Sequence, residues 1–149
     1  MATTVSNGTL TVTITEKLVL NGKDHGSTKK ITATGINEIS KRILTCATTG
    51  TQVYAGSTAA AFGTFVTNDV RYIRITNLDD TNFIVLHLEG NSHYAQIAVP
   101  AGSVFFLTDV SSVFDNASAV ASFSAEDITR IDIMANTAAC DVEIMVASA

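Results

Sequence analysis

The chain has no tryptophan, one proline and two cysteines. Two cysteines cannot form a disulfide scaffold, and 149 residues are enough to bury a core without one. Charge is scarce too. Asp, Glu, Lys and Arg make up 15%, against about 25% in an ordinary soluble domain. Nine basic residues face fourteen acidic ones, which leaves little for a phosphate-binding patch, so no direct nucleic-acid binding is expected. No apolar run approaches the roughly 18 residues of a membrane helix, so no membrane partner is expected. The opening MATTVSNGTLTV has neither the basic nor the apolar region of a secretory leader. Disorder requires low hydrophobicity with high charge, whereas hydrophobic residues are 46% here.

What fills the space is Thr, Ser, Asn and Ala. A surface poor in charge costs less to desolvate against another protein, and interface cores are depleted in Lys, Glu and Asp. The composition leans toward a protein that lives in an assembly. An uncharged extracellular or adhesive β domain is the competing reading.

The clearest periodicity is two. In residues 9–20, Leu10, Val12, Ile14, Leu18 and Leu20 share one parity, and Thr9, Thr11, Thr13, Thr15 and Lys17 share the other. That is a half-buried strand with threonine on the solvated pleat. Glu16 falls on the apolar parity, so a bend or bulge is expected there, giving two segments. Asn21-Gly22 reads as a turn and residues 23–30 as a polar loop. Further strands are expected at 31–34, 36–48 and 52–55.

The centre, VRYIRITNL and FIVLHLEG, reads as a hairpin whose second strand is central. HYAQIAV and SVFFLT follow as strands. A helical turn capped by Asp109 is expected over 110–114. ITRIDIMAN and CDVEIMVA read as a closing hairpin, with Ile131, Ile133, Cys140, Val142, Ile144 and Val146 inward. The sum is a single all-β domain over 1–149, an antiparallel β-sandwich of jelly-roll-like type.

Chemistry is sparse. A zinc site wants ligands at close spacing, but His25, His87 and His93 form no HxH and Cys46 and Cys140 no CxxC. Cys140 has core parity and is expected to be a buried thiol. Asp79-Asp80 between Asn77 and Asn82 presents oxygens as a calcium loop does, without the spacing of one, and a turn accounts for it. No phosphate loop, nucleophile elbow or metalloprotease motif occurs. The expectation is no catalytic residue, no cofactor and no metal, hence no enzyme. Without tryptophan, sugar stacking would fall to Tyr54, Tyr72, Tyr94 or a phenylalanine. The candidates for contact with other proteins are Tyr72, Arg74, Met134 and Met145, on supposedly outward parity, with the bulged start around Glu16. Tyr, Met and Arg are enriched in interfaces. Arg74 is expected to pair with an acid on a neighbouring subunit. The competing reading covers that face with the chain's own loops.

The run VRYIRITNLDDTNFIVLHLEG, followed by IAVPAGSVFFL, resembles segments of small virion structural proteins of tailed bacteriophages. The likeness covers the middle third of the chain. It implies a jelly-roll-like protein that decorates or cements a capsid, placed in the virion after assembly in the host cytoplasm. Its partners would be capsid or other virion proteins, in a homo-oligomer or multi-copy array. No functional residue carries over. A tail adaptor, fibre or receptor-binding head is the alternative, although the chain has no coiled-coil or collagen-like stalk. A secreted carbohydrate-binding or hydrolytic β-sandwich is the reading from another class.

Overall fold

A computed structural model describes residues 5–115 and 122–149. The alternation of residues 9–20 continues past Asn21-Gly22 into a partner. β1 (Gly8–Thr15) leads to β2 (Val19–Leu20), and the chain returns through β3 (Lys23–Asp24) and β4 (Thr28–Ile36). The register is constant: Thr9 faces Thr34, Thr15 faces Thr28, and Leu20 faces Lys23. Asn21 and Gly22 have φ of 52° and 77°, the primed two-residue turn that Asn-Gly favours. Residues 23–30 are thus the returning strand and not the polar loop expected. The strand does split in two near Glu16, but no bulge forms there. Glu16 and Ser27 exchange backbone hydrogen bonds of 2.8 and 3.1 Å that carry the ladder through. The irregularity lies at the other end, where Gly35, at φ 79°, is the extra residue opposite Gly8 and Thr9. This hairpin is called the arm below.

The body follows in chain order as β5 (Glu38–Cys46), β6 (Thr51–Ser57), β7 (Phe65–Val66), β8 (Val70–Asn77), β9 (Ile84–Glu89), β10 (Tyr94–Val99), β11 (Val104–Leu107), β12 (Phe114–Asp115), β13 (Ala125–Glu126), β14 (Arg130–Ala135) and β15 (Cys140–Ser148). One sheet has the order β11-β8-β15-β5 and the other β10-β9-β14-β6-β7. Without the short β7, the eight long body strands fall four to a sheet and change sheet at every step except β9 to β10, as in a jelly roll. The fold is the all-β antiparallel sandwich expected. β9 is central, as expected, between β10 and β14.

Two expected hairpins are corrected. β8 and β9 lie in different sheets, and so do β14 and β15. Each connection carries the chain across the sandwich. A period-two run beside a turn looks the same whether the chain folds back within a sheet or crosses to the other, so local sequence does not separate the two. The crossing after β8 is held by Asn77, which is fully buried. Its amide donates to the carbonyls of Asn82 (2.8 Å), Pro100 (3.1 Å) and Val99 (3.3 Å), and its Oδ1 accepts from the Asp79 N–H (3.1 Å).

The main core lies between the sheets. Ile73, Ile75, Val142, Ile144 and Val146 meet Ile84, Leu86, Leu88, Ile131 and Ile133. Val70 shares parity with outward residues, yet it is buried. The register of β8 on β15 shifts after the Tyr72–Ala147 pair to Val70–Ser148, so Arg71 is the extra residue and Val70 turns inward. No helix forms over 110–114. Residues 111–112 are a turn that leads into β12. Asp109 still caps it, its Oδ1 accepting from the N–H of Val110 (2.7 Å) and Ser111 (2.9 Å). The remainder of that Ser- and Ala-rich stretch, 116–121, lies outside the described residues.

Candidate functional site

The residues that could carry chemistry are dispersed. His25 lies on the arm, its N–H donating to the Leu18 carbonyl at 2.7 Å. His87 is on the outer face of the β9 sheet, its ring 5.0 Å from that of Tyr94. His93 stands 3.5 Å from Glu126. Among the described residues no three His, Cys, Asp or Glu are placed to hold a metal ion. The Asp79 loop behaves as a turn, its Oδ1 accepting from the N–H of Thr81 (2.8 Å) and Asn82 (2.6 Å). Those bonds hold the Asp79 carboxyl below its ordinary pKa.

Cys46 and Cys140, ninety-four positions apart in sequence, are direct cross-strand partners on β5 and β15. Both are free and fully buried. Burial pushes the Cys46 thiol up to about 11, with Cys140 beside it adding to the shift. A thiol so raised is a poor nucleophile at neutral pH.

Glu126 is the residue the sequence reading missed. It lies in a Ser- and Ala-rich stretch with no periodicity to mark it. It is buried, and its Oε1 accepts from the Ser92 N–H at 2.6 Å. Gly90 makes room for it, since a Cβ there would come within 2.7 Å of the Glu126 Cδ. The carboxylate pins the loop between β9 and β10.

The predicted contact residues separate into three kinds. Tyr72 is corrected. It is 5% exposed and belongs to a second apolar cluster with Ile36, Ala147, Leu10 and Val12, against which Met145 is half-buried. The arm itself covers them. The face is outward with respect to the sandwich, as parity indicated, but the chain's first strands lie across it. Arg74 pairs within the chain, with Glu143, which also takes Lys41 at 3.2 Å. Its expected partner on a neighbour is thus replaced by a strand neighbour. Met134 is 41% exposed on the other sheet's outer face and stays available.

The face that holds Tyr72 has two halves. Phe106, Tyr72, Met145 and Ala147 lie under the arm. Beyond them a row crosses all four strands, Val104 opposite Thr76, Thr76 opposite Glu143, and Glu143 opposite Ile43. Val104 and Ile43 are exposed, and so is Leu78 at the adjoining loop. That loop carries Asp79 and Asp80, which with Asp141 line a depression of about 540 Å³.

The arm divides in the same way. Leu10 and Val12 rest on the covered half. From Val12 to the turn at Asn21 nine residues run out, about 30 Å at strand rise. At that end Leu18, Val19 and Leu20 are 55%, 59% and 58% exposed. Leu18, Val19 and Leu20 are thus three consecutive exposed apolar side chains on the tip of a solvated hairpin. They stand on a strand pair with no other sheet partner among the described residues.

No protein-family model matches the chain, and no curated protein matches it. Among solved structures, a chain described under "Bacillus endospore appendages form a novel family of disulfide-linked pili" superposes with a TM-score of 0.44 at 14% identity. The match covers 74% of this chain and 84% of that one.

Proposed function

We propose that this chain is a non-enzymatic structural subunit of a virion, a decoration or cement protein that stabilises a capsid through protein–protein contacts. The observation that carries the reading is the overhanging arm with its apolar tip. Hairpin ends are ordinarily polar, and a contiguous exposed apolar group marks a contact surface. The resemblance of residues 70–90 and 97–107 to small virion proteins gives the kind of assembly. Such a protein works by shape. Each interface buries on the order of 1,600 Å², and many copies on one lattice multiply a modest contact by avidity.

The test is co-sedimentation of the purified chain with heads and with tails of the tailed phage whose genome carries it. Saturable binding to heads is expected, with a rise in the temperature at which the shell opens. Binding to tails alone would move the protein to the adaptor or receptor-binding reading. No binding to either would end the virion reading.

A further inference from the structure

We propose that the arm's partner is a second copy of this chain, whose uncovered half-face receives the tip. This rests on the reading of the protein as a multi-copy subunit and names the contact between its copies.

The argument starts from one stripe and one face. Along the arm, Leu10, Val12, Ile14, Leu18 and Leu20 share a parity. The inner part of that stripe already packs on the sheet formed by β11, β8, β15 and β5, at Tyr72, Phe106 and Met145. The outer part, Leu18 and Leu20, is more than half exposed, with nothing packed under it among the described residues. On the sheet, the half with Tyr72 is covered and the row Val104–Thr76–Glu143–Ile43 is not. The free half of the stripe is apolar, and the free half of the face offers two exposed apolar side chains, Val104 and Ile43, on either side of Thr76 and of Glu143 with its partners Arg74 and Lys41.

The arm cannot close this gap within one molecule. Beside its middle, Val12 and Ile31 border a depression shared with Arg71 and Thr108. Arg71 is at the start of β8 and Thr108 follows the end of β11. The uncovered row holds Thr76 and Val104, at the opposite ends of those two strands. The arm therefore leaves the sheet at the corner away from the row, and its tip is carried farther off by the length of the ribbon.

Charge favours a second copy over an unrelated partner. The arm, residues 8–36, carries Lys17, Lys23, Lys29 and Lys30 against Glu16 and Asp24. The other five basic residues face the other twelve acidic ones. A chain of net charge -5 thus bears a basic arm on an acidic body. Lys17 and Lys23 flank the tip leucines, and Asp79, Asp80 and Asp141 border the uncovered row. Opposite fields on the two surfaces steer the encounter and fix its register. The contact is head to tail, so it closes into a ring or continues as an open row of copies.

Two variants test this on the full chain. Leu18→Asp with Leu20→Asp spoils the tip and leaves the body intact. Ile43→Asp spoils the row and leaves the arm intact. All three side chains are more than half exposed, so both variants stay folded, with a slightly lower melting temperature for Ile43→Asp, whose carboxylate sits directly opposite Glu143. Light scattering after size exclusion is expected to show an assembly for the wild type and a monomer for each variant, with association weakened at least about 100-fold. Mixing the two variants is expected to restore a dimer of one copy each and nothing larger, because one sound tip meets one sound row. A monomeric wild type at the highest soluble concentration, an Ile43→Asp variant that still assembles, or a mixture that stays monomeric would each overturn the proposal. The same samples separate it from the virion reading. Copies that assemble but ignore heads and tails end that reading and keep this contact. A chain that binds heads while remaining monomeric does the reverse.

Discussion

Asn77 shows how much one side chain decides. It ends a strand of apolar and basic residues, and its sequence context reads as an ordinary turn. Buried, it satisfies three carbonyls and one N–H at the point where the chain leaves one sheet for the other. Removing it strands those groups away from water. Asn77→Ala is expected to cost about 3 kcal/mol in urea unfolding. Asn77→Asp should cost more, although its shape is the same, because a carboxylate would face three carbonyl oxygens. Cys46 makes a second point at this scale. Its thiol is neutral in the folded chain up to a pKa of about 11, against 9.0 for the free group. The folded pKa is raised, so this contribution is fully present below pH 9 and is lost as pH climbs toward 11. The unfolding midpoint should hold steady to about pH 8.5 and then fall, and Cys46→Ala should flatten that fall. Parity marked Cys140 as buried, whereas nothing local marked Cys46. That the two thiols meet needed the pairing of β5 with β15.

At the scale of elements, the arm is where the sequence was both most and least informative. The alternation of Leu, Val and Ile with Thr made β1 plain, and Asn21-Gly22 announced a tight turn. The returning strand was missed because Lys, Asp, His, Gly and Ser in residues 23–30 have low strand propensity, and pairing overrode it. A two-stranded ribbon is marginal by itself, so the arm's order rests on its contact with Tyr72, Phe106 and Met145. Hydrogen exchange should therefore divide the chain. Backbone amides of β1 and β4 are expected to exchange well before those of β8 and β15, by local opening. Tyr72→Ala should speed the arm's exchange further and leave the order of protection within the body unchanged. Equal protection of arm and body would mean the arm is held by more than this patch. The parity of Tyr72 points it away from the sandwich core, toward a contact. It does face that way, and the arm that covers it is distant in sequence.

At the scale of the whole molecule, β15 sits between β5 and β8, so the last strand of the body completes a sheet begun by its first. Pairings this remote in sequence leave no local trace. For that reason two strand–turn–strand runs that looked like hairpins are crossings between sheets. The same holds for Arg74 and Glu143, sixty-nine positions apart, which pair because β8 lies beside β15. A surface poor in charge and a chain without catalytic motifs pointed to contact rather than chemistry. Where contact would be made was not visible until the arm and its half-covered face were placed.

The sequence by itself determined what depends on neighbours along the chain: the all-β class, most strands, the inward sets of the core, the turn at Asn21-Gly22 and the cap at Asp109. Period, propensity and turn chemistry are local quantities, and they survive in one dimension. Only the tertiary structure decided which strands share a sheet, that Cys46 meets Cys140, that Glu126 fills the space left at Gly90, and that Tyr72 is roofed while Leu18, Val19 and Leu20 are bare. Those outcomes depend on burial against residues far away in the chain, and a single strand's pattern says which face is apolar without saying what will cover it.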